Sequence, residues 1–229
     1  MGAAAWVSAA ITFLAVLVAL LKDEIIRLWR RPELVPIVRR MAPDSVKTEI
    51  MFLNERTHEV ALHGDCYYLR IWVENRGRLR AERVQVFAAK LLRRRADGDF
   101  TEEKQFLPMN LRWSHSQQRP EGPEIFAEGI SPGMGKHCDL GHILHPDLRR
   151  KTQQTLPGVP DEQTILELDL EVAPSTLSHL IRPGEYRLEL KVAAANARPV
   201  TKVLEINLTG EWFDEESKMF AEGIGLKEV

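Results

Sequence analysis

The chain has no excess of basic residues, which argues against a nucleic-acid-binding protein. Its 31 Lys and Arg are outnumbered by 33 Asp and Glu, giving a net charge of −2 and a pI near 6.4. Proteins that follow a phosphate backbone carry a basic excess or stripe. With 44% hydrophobic and 28% charged residues, the composition is that of a chain folding mostly around a core. We therefore expect no nucleic-acid partner.

Cysteine is scarce, and this limits both metal and redox chemistry. The two cysteines, Cys66 and Cys138, lie far apart and match no zinc or thiol–disulfide spacing. They can form one disulfide only in an oxidising compartment. The sequence leaves open whether they pair.

Recognisable catalytic motifs are also missing. The sequence has no Gly-x-Ser-x-Gly elbow and no His-Glu-x-x-His pair. Residues 129–136 (GISPGMGK) resemble a phosphate loop, but five residues precede Gly-Lys instead of four, and His137 replaces the Ser or Thr. These absences favour a non-enzymatic protein without a cofactor.

No charged residue occurs from Ala3 to Leu21, and this run predicts a transmembrane helix. At about 1.5 Å per residue, its length is close to the roughly 30 Å hydrocarbon core of a bilayer. Trp6 lies near one end of the run and Trp29 beyond the other end, where indoles favour the headgroup regions. A cleaved signal peptide is the alternative, but it needs basic residues before the apolar run, and none is present.

The charges that follow this run predict its orientation. Residues 22–40 contain six Lys or Arg and three acids, whereas no Lys or Arg precedes the run. Because Lys and Arg beside a span favour the cytoplasmic side, we expect the N-terminus outside the cell membrane and the following domain in the cytoplasm.

Four regions are predicted along the chain. Residues 1–31 form the transmembrane helix with a juxtamembrane extension, which Pro32 ends, and residues 32–44 form a linker. Residues 45–212 form the main domain. Residues 213–229 form a tail with a possible short helix, and four apolar side chains around it are expected to dock on the domain: Trp212, Phe213, Met219 and Phe220.

Alternating apolar and polar residues predict that the main domain is built from strands. Clear alternation occurs at residues 67–74, 84–92, 166–172, 186–192 and 204–208, and weaker signals occur at 47–53, 106–113, 124–127 and 137–143. Asn75-Arg76-Gly77 supplies residues that tolerate positive φ in a turn between two of these strands. Half-buried strands of this kind stack as paired antiparallel sheets. The predicted fold is an all-β, immunoglobulin-like antiparallel β-sandwich behind one N-terminal transmembrane α-helix.

Three segments resemble a known family. Residues 73–91 (VENRGRLRAERVQVFAAKL), 130–140 (ISPGMGKHCDL) and 181–192 (IRPGEYRLELKV) are similar to the strand–turn segments of bacterial and archaeal CARDB-type immunoglobulin-like modules. The resemblance covers about half of the chain and implies a fold and a binding or spacing role, without catalytic residues. Such modules are usually extracellular and in tandem, unlike the single cytoplasmic copy expected here. The region from Arg93 to Thr164 is longer than this pattern needs, and residues 145–163 within it are predicted to form an exposed loop that includes the basic residues Arg149 to Lys151.

One polar cluster contains metal-ligand side chains: His137, Cys138, Asp139, His142 and His145. Imidazole and thiolate bind zinc, but the spacing matches no known zinc motif. In a strand, His137 and Asp139 share one face and Cys138 faces the other, so the five groups cannot converge without a loop. An edge strand with surface histidines is the simpler interpretation.

The second face of the strand at residues 67–74 is a candidate partner-binding surface. Tyr68, Arg70 and Trp72 are of the types that dominate interface hot spots, and Arg76 and Arg78 add positive charge beside them. The alternatives are that other parts of the domain cover this face and that the arginines are simply solvated.

Together these features predict a membrane-tethered, non-enzymatic interaction module that contacts the bilayer through Ala3–Leu21 and binds a protein partner. One alternative is a membrane effector or sensor whose anchors cluster on binding, because small residues on one side of the span permit close helix packing. These residues are Ala3, Ala4, Ala5, Ser8 and Ala9. Another alternative is a metal-dependent enzyme using the segment from His137 to His145.

Overall fold

The computed structural model describes residues 3–29, 31–54, 56–57, 59–115, 125–152 and 154–229. One long helix, α1 (Ala3–Trp29), precedes a domain built almost entirely of antiparallel strands. The described side chains of α1 are those of residues 6–7 and 10–22, and all of them are exposed. The small residues proposed for helix packing are outside this set. Within the described part of the chain, no helix combines the length and apolar character needed to cross a membrane.

The first sheet has six strands. They are β1 (Leu34–Val38), β2 (Ser45–Leu53), β3 (Val60–Asn75), β8 (Gly135–Leu144), β9 (Leu166–Leu168) and β10 (Leu180–Ile181). Their order is β1–β3–β8–β9–β10, and β2 pairs with the first half of β3 while β1 pairs with its second half. The long strand β3 therefore forms the centre of this sheet.

The second sheet has seven strands. They are β4 (Ala81–Arg94), β5 (Phe100–Glu102), β6 (Met109–Asn110), β7 (Ala127–Ile130), β11 (Gly184–Ala194), β12 (Ala197–Leu208) and β13 (Ile224–Glu228). Their order is β13–β12–β11–β4–β5, and β6 and β7 pair with other parts of β4. Short helices lie outside the sheets at α2 (Pro146–Lys151) and α3 (Glu216–Lys218), and α3 continues into a π-helical turn, Met219–Gly223.

The inner faces of the two sheets bury one continuous apolar core. Leu69 and Ile71 of β3 are fully buried in it, together with Val84 and Val86 of β4 and the indole of Trp113. Strands that bury one face and leave the other polar can satisfy this arrangement only by stacking in pairs. The all-β two-sheet sandwich is therefore confirmed, and it is consistent with the immunoglobulin-like fold that the resemblance implies.

Most of the predicted strands are confirmed, several with longer bounds, but the segment at 166–172 differs. Only Leu166–Leu168 forms a strand there, followed by an isolated bridge between Leu170 and Leu111. Similarly, the segment at 106–113 is reduced to a two-residue strand with isolated bridges. The segment at 124–127 begins at Glu124, outside the described residues.

The turn predicted at Asn75-Arg76-Gly77 has a different role. It does not join paired strands, because β3 and β4 belong to different sheets, and Gly77 does not have a positive φ. A Cβ on Gly77 would lie 2.4 Å from Glu33 N and 2.5 Å from Arg31 O. Glycine is needed here because the chain leaving α1 passes directly against it.

The structure also differs from the sequence prediction at both ends of the sandwich. The linker predicted for residues 32–44 contains β1, which pairs with β3. The predicted tail contains the short helix. The four apolar side chains expected to dock on the domain pack on the core, namely Trp212, Phe213, Met219 and Phe220. The last residues, however, form β13, which pairs with β12. Neither edge strand has strong alternation of its own, and each is stabilised by its partner.

The exposed loop predicted for residues 145–163 is wrong in part. It contains α2, whose Leu148 and Arg149 are buried. The Arg149 guanidinium donates to the carbonyl oxygens of Gln154, Pro160 and Gln163 at 2.7–3.1 Å. A residue that the sequence places in a basic surface cluster therefore holds the following loop together.

Asn75 connects three parts of the sandwich. Its side chain is fully buried, and its amide nitrogen donates to Leu79 O at 2.7 Å and Ile130 O at 2.9 Å. Its side-chain oxygen accepts from Glu33 N at 3.1 Å and Gly77 N at 3.0 Å. The end of β3, the crossing to the second sheet and the chain leaving α1 are thus fixed by one side chain.

Replacing Asn75 with Ala is expected to lower the free energy of unfolding by about 2–4 kcal/mol, because several buried backbone groups lose their partner. Denaturant unfolding of the full chain in detergent measures this change. Asn196→Ala is the matched control, since this Asn also bonds two backbone groups, Arg80 O and Glu82 N, but does so at the surface. There water replaces the amide, and a loss of about 0.5–1 kcal/mol is expected. Equal losses in the two variants would contradict the role given to Asn75.

Candidate functional site

The outer face of the first sheet holds most of the residues that the sequence marks as functional. Tyr68, Arg70 and Trp72 project from β3 on this side, whereas Leu69 and Ile71 between them enter the core. The predicted two-faced character of this strand is therefore confirmed. Tyr68, Arg70 and Trp72 are half-buried, so neighbouring strands cover them only in part.

An irregularity in β8 decides which of its polar residues reach this face. Leu69 pairs with Gly141, but the next residue of β3, Arg70, pairs with Asp139, so Leu140 is an extra residue in β8. A bulge of this kind changes the alternation of side chains along a strand. As a result, Asp139 and His142 face the same side, although three positions separate them.

Charged groups on this face are held in pairs. Arg70 Nε lies 3.2 Å from Asp139 Oδ1, which also accepts a hydrogen bond from the Ser114 hydroxyl. Nearby, His137 Nε2 lies 2.9 Å from Oδ1 of the fully buried Asp44. Burying a charge without a partner is costly, so pairing of this kind is what a partly covered polar face requires.

The deepest of these pairs joins β8 to the chain after β9. His142 Nδ1 donates to Asp169 Oδ1 at 2.9 Å, and the side chains are 9% and 11% exposed. Burial alone would lower the pKa of His142, but the hydrogen bond to Asp169 and the charges of Asp169 and Glu167 outweigh it and raise the pKa above the ordinary 6.5. The pair therefore favours a protonated imidazole inside the protein.

Two further ionisable groups adjoin this pair. Glu167 Oε2 lies 3.7 Å from His142 Nε2 and accepts a hydrogen bond from the Gln154 amide. Its other oxygen lies 3.8 Å from His179 Nε2. Burial raises the pKa of Glu167 and lowers that of His179. Both groups are thus desolvated, and their contacts with groups of opposite charge are long, at 3.7 Å or more.

These groups line a cleft of about 450 Å³. Ile50 and Phe52 of β2 form part of an apolar wall with Leu144, and the His142–Asp169 pair lies on the polar side with Glu167. Concave sites with apolar walls and a few convergent polar groups are the usual form of ligand sites. Groups with shifted pKa values are also concentrated at such sites. We identify this opening, the acidic cleft, as the candidate functional site.

The proposed metal-ligand side chains are not brought together. Cys138 faces the core, His137 packs on Trp72 with ring centroids 4.7 Å apart, and His145 packs on Trp212 and caps α2. Only His142 lies in the acidic cleft. Across the described residues, no group of three or more His, Cys, Asp or Glu side chains is arranged to hold a metal ion.

Both cysteines are free, and the sheet separates them. Cys138 points into the main core, whereas Cys66 lies on the outer side beneath Leu148 of α2. Burial raises the pKa of the Cys66 thiol to about 12. The thiol groups are therefore unreactive, and opposite faces of one sheet prevent their pairing in this fold.

The two arginines at the end of β3 lie away from the cleft, beside the chain that leaves α1. Arg76 and Arg78 are exposed, and Arg76 pairs with Glu74 at 2.9 Å. Their backbone amides donate to Glu33 O at 2.8 Å and Arg31 O at 3.3 Å, respectively. The predicted partner-binding residues thus divide between the outer sheet face and the base of the domain.

Sequence analysis missed the principal groups of the site, namely Glu167, Asp169 and His179. The alternation at 166–172 assigned Glu167 and Asp169 to an ordinary solvated face, and nothing marked His179. The available signal was the presence of acids on one face of a predicted strand together with a histidine, His142, in another. Only the pairing of β8 with β9 brings them together.

Comparison of the chain with protein-family models, curated proteins and solved structures finds no match in any of the three.

The His142–Asp169 pair predicts a pH-dependent stability. Because folding raises the pKa of His142, its protonated form stabilises the fold fully below about pH 6.5, and this contribution is lost as pH rises through the raised value. His142→Asn is expected to lower the free energy of unfolding by about 1–3 kcal/mol near pH 6, and by less near pH 9. Denaturant unfolding at a series of pH values measures the difference.

His63→Asn is the control, because His63 also bonds a carboxylate, that of Glu49, but is 65% exposed. Its substitution is expected to change the stability by no more than about 0.5 kcal/mol. A His142→Asn loss that grows with rising pH would contradict the assignment.

Proposed function

We propose that this chain is a membrane-tethered, non-enzymatic interaction module whose sandwich binds a protein partner through the acidic cleft. The observation that carries the proposal is the buried His142–Asp169 pair in the wall of an open cleft. An ion pair of this kind seldom adds stability over apolar packing, so its presence beside an opening favours a role in binding.

The surroundings of the cleft support a protein as the partner. Tyr68 lines the cleft, and Arg70 and Trp72 follow it along the same face of β3. Tyr, Trp and Arg are the residues that most often supply binding energy at protein interfaces. The cleft and this row of side chains together offer a pocket with an adjoining, partly exposed face.

The tether is proposed from the sequence and from the exposure of α1. The 27-residue helix contains residues 3–21, which carry no charge. Among its described side chains, Phe13 is 69% exposed, Leu20 75% and Val16 52%. Exposed apolar side chains along an uncharged run of this kind are stabilised by an apolar solvent, and lipid supplies one.

The chain from residue 31 onward contacts the sandwich, which supports a short connection to the helix. Residues 31–33 are bonded to the backbone of Arg76 and Arg78 and to the Asn75 side chain. If the domain lies in the cytoplasm, as the charges after the span favour, Arg76 and Arg78 would lie near the anionic inner leaflet. The cleft would then be held at a limited distance from the bilayer.

Placing Asp at both Leu14 and Val18 tests the tether. Both side chains are exposed on α1, and a carboxylate at the centre of a span costs about 2.5–3.5 kcal/mol. The wild-type chain is expected to float with liposomes and to resist alkaline extraction, and the Asp variant is expected to remain in the supernatant. The control with Ala at both positions keeps the run uncharged and should float.

Protease treatment of spheroplasts tests the orientation. The sandwich is expected to be protected until the membrane is permeabilised. Digestion of the sandwich in intact spheroplasts would overturn the cytoplasmic placement, and a wild-type chain that fails to float would overturn the tether.

A further inference from the structure

The acidic cleft carries more negative than positive charge. Its ionisable lining consists of three carboxylates, three basic groups and one phenol: Glu167, Asp169, Glu171, Arg112, His142, His179 and Tyr68. Arg112 is engaged, since its guanidinium donates to Leu170 O at 3.0 Å. With His179 neutral, the lining has one negative charge in excess when His142 is protonated and two when it is neutral. A cation is therefore attracted to the cleft and an anion is repelled.

Two buried polar groups in the lining lack partners that a cation or its N–H donors would supply. Asp169 Oδ2 is buried and accepts no hydrogen bond. The His179 side chain is 7% exposed, Nδ1 has no partner, and Nε2 is 3.8 Å from the nearest carboxylate oxygen. Buried polar atoms are nearly always hydrogen-bonded, so these two are groups that a ligand in the cleft would satisfy.

The apolar wall indicates the shape of the ligand. Ile50, Phe52 and Leu144 line the same cleft as the carboxylates and belong to one apolar cluster. Lys and Arg side chains combine an aliphatic stem with a charged end, and the stem packs on apolar surface while the end bonds to acceptors. Tyr68 also lines the cleft, and its ring contacts the guanidinium of Arg70 at 5.3 Å, which is the kind of contact that a cation makes with an aromatic face.

We infer that the acidic cleft binds a basic side chain, an ammonium or guanidinium on an aliphatic stem, presented by the partner. Glu167 and Asp169 accept from the charged end, and Ile50 and Phe52 pack on the stem. This rests on the proposed function in one respect, namely that the partner is a protein. The recognition itself requires only the cleft.

Small probes test this inference without a known partner. The full chain, labelled at its isoleucine methyl groups and kept in mild detergent, is titrated separately with n-butylammonium, n-butylguanidinium, n-butanol and n-butyrate. The two cations are expected to shift the Ile50 methyl signal in a saturable manner and to leave Ile206, in the core of the other sheet, unchanged. The neutral and anionic probes should produce no saturable shift.

Two variants make the test specific. Glu167→Gln removes one acceptor charge and is expected to weaken cation binding by about tenfold. Glu189→Gln on the second sheet is the matched control, because the Glu189 and Glu167 side chains are both 27% exposed, and it should bind as the wild type does. Asp169→Asn also removes the partner of His142, so Glu167→Gln is the decisive variant.

Several outcomes would overturn the inference. Equal binding of n-butanol would indicate an apolar groove only, and binding of n-butyrate would indicate an anion site. Absence of any shift at Ile50, or unchanged affinity in Glu167→Gln, would also exclude it. None of these results depends on the liposome flotation test, so failure of the tether and failure of cation recognition can be told apart.

Discussion

The extra residue in β8 is the constraint on which the polar side of the first sheet depends. Leu140 enters the core, and its insertion turns Asp139 and His142 to the outer face together. The neighbouring Gly141 permits close approach of β9, because a Cβ there would lie 2.2 Å from Glu167 O. The bulge and this glycine therefore bring the carboxylates after β8 within reach of His142. Without both features, the cleft would have no polar wall.

The same outer face shows how a sandwich can hold charges that its core excludes. Two pairs of opposite charge lie on this face, Arg70–Asp139 and His137–Asp44. Toward β9 this pairing becomes incomplete, since Asp169 bonds His142 through only one of its oxygens. A buried carboxylate oxygen without a hydrogen-bond partner, such as Asp169 Oδ2, raises the free energy of the unbound protein. A ligand that supplies this partner gains affinity for that reason.

Sequence patterns were sufficient for the sandwich but not for the site. Period-two alternation marks β3, β4, β11 and β12 because each buries one face against the other sheet. The bulge is invisible to this reasoning, since strict alternation places Asp139 and His142 on opposite faces. His142 and Asp169 are 27 residues apart, and only the register of β8 with β9 makes them neighbours. Edge strands β1 and β13 were missed for a similar reason, because pairing with distant segments stabilises them more than local pattern does.

The central claim is that the cleft of the tethered domain receives a protein partner. Photo-crosslinking in intact cells tests it most directly, with p-benzoylphenylalanine replacing Phe52 in the cleft wall or, as a control, exposed Thr201 on the second sheet. The account predicts one defined protein crosslinked from position 52, none from position 201, and loss of the product when Glu167→Gln is added. The same products from both positions, or a product from position 52 that Glu167→Gln does not weaken, would contradict it.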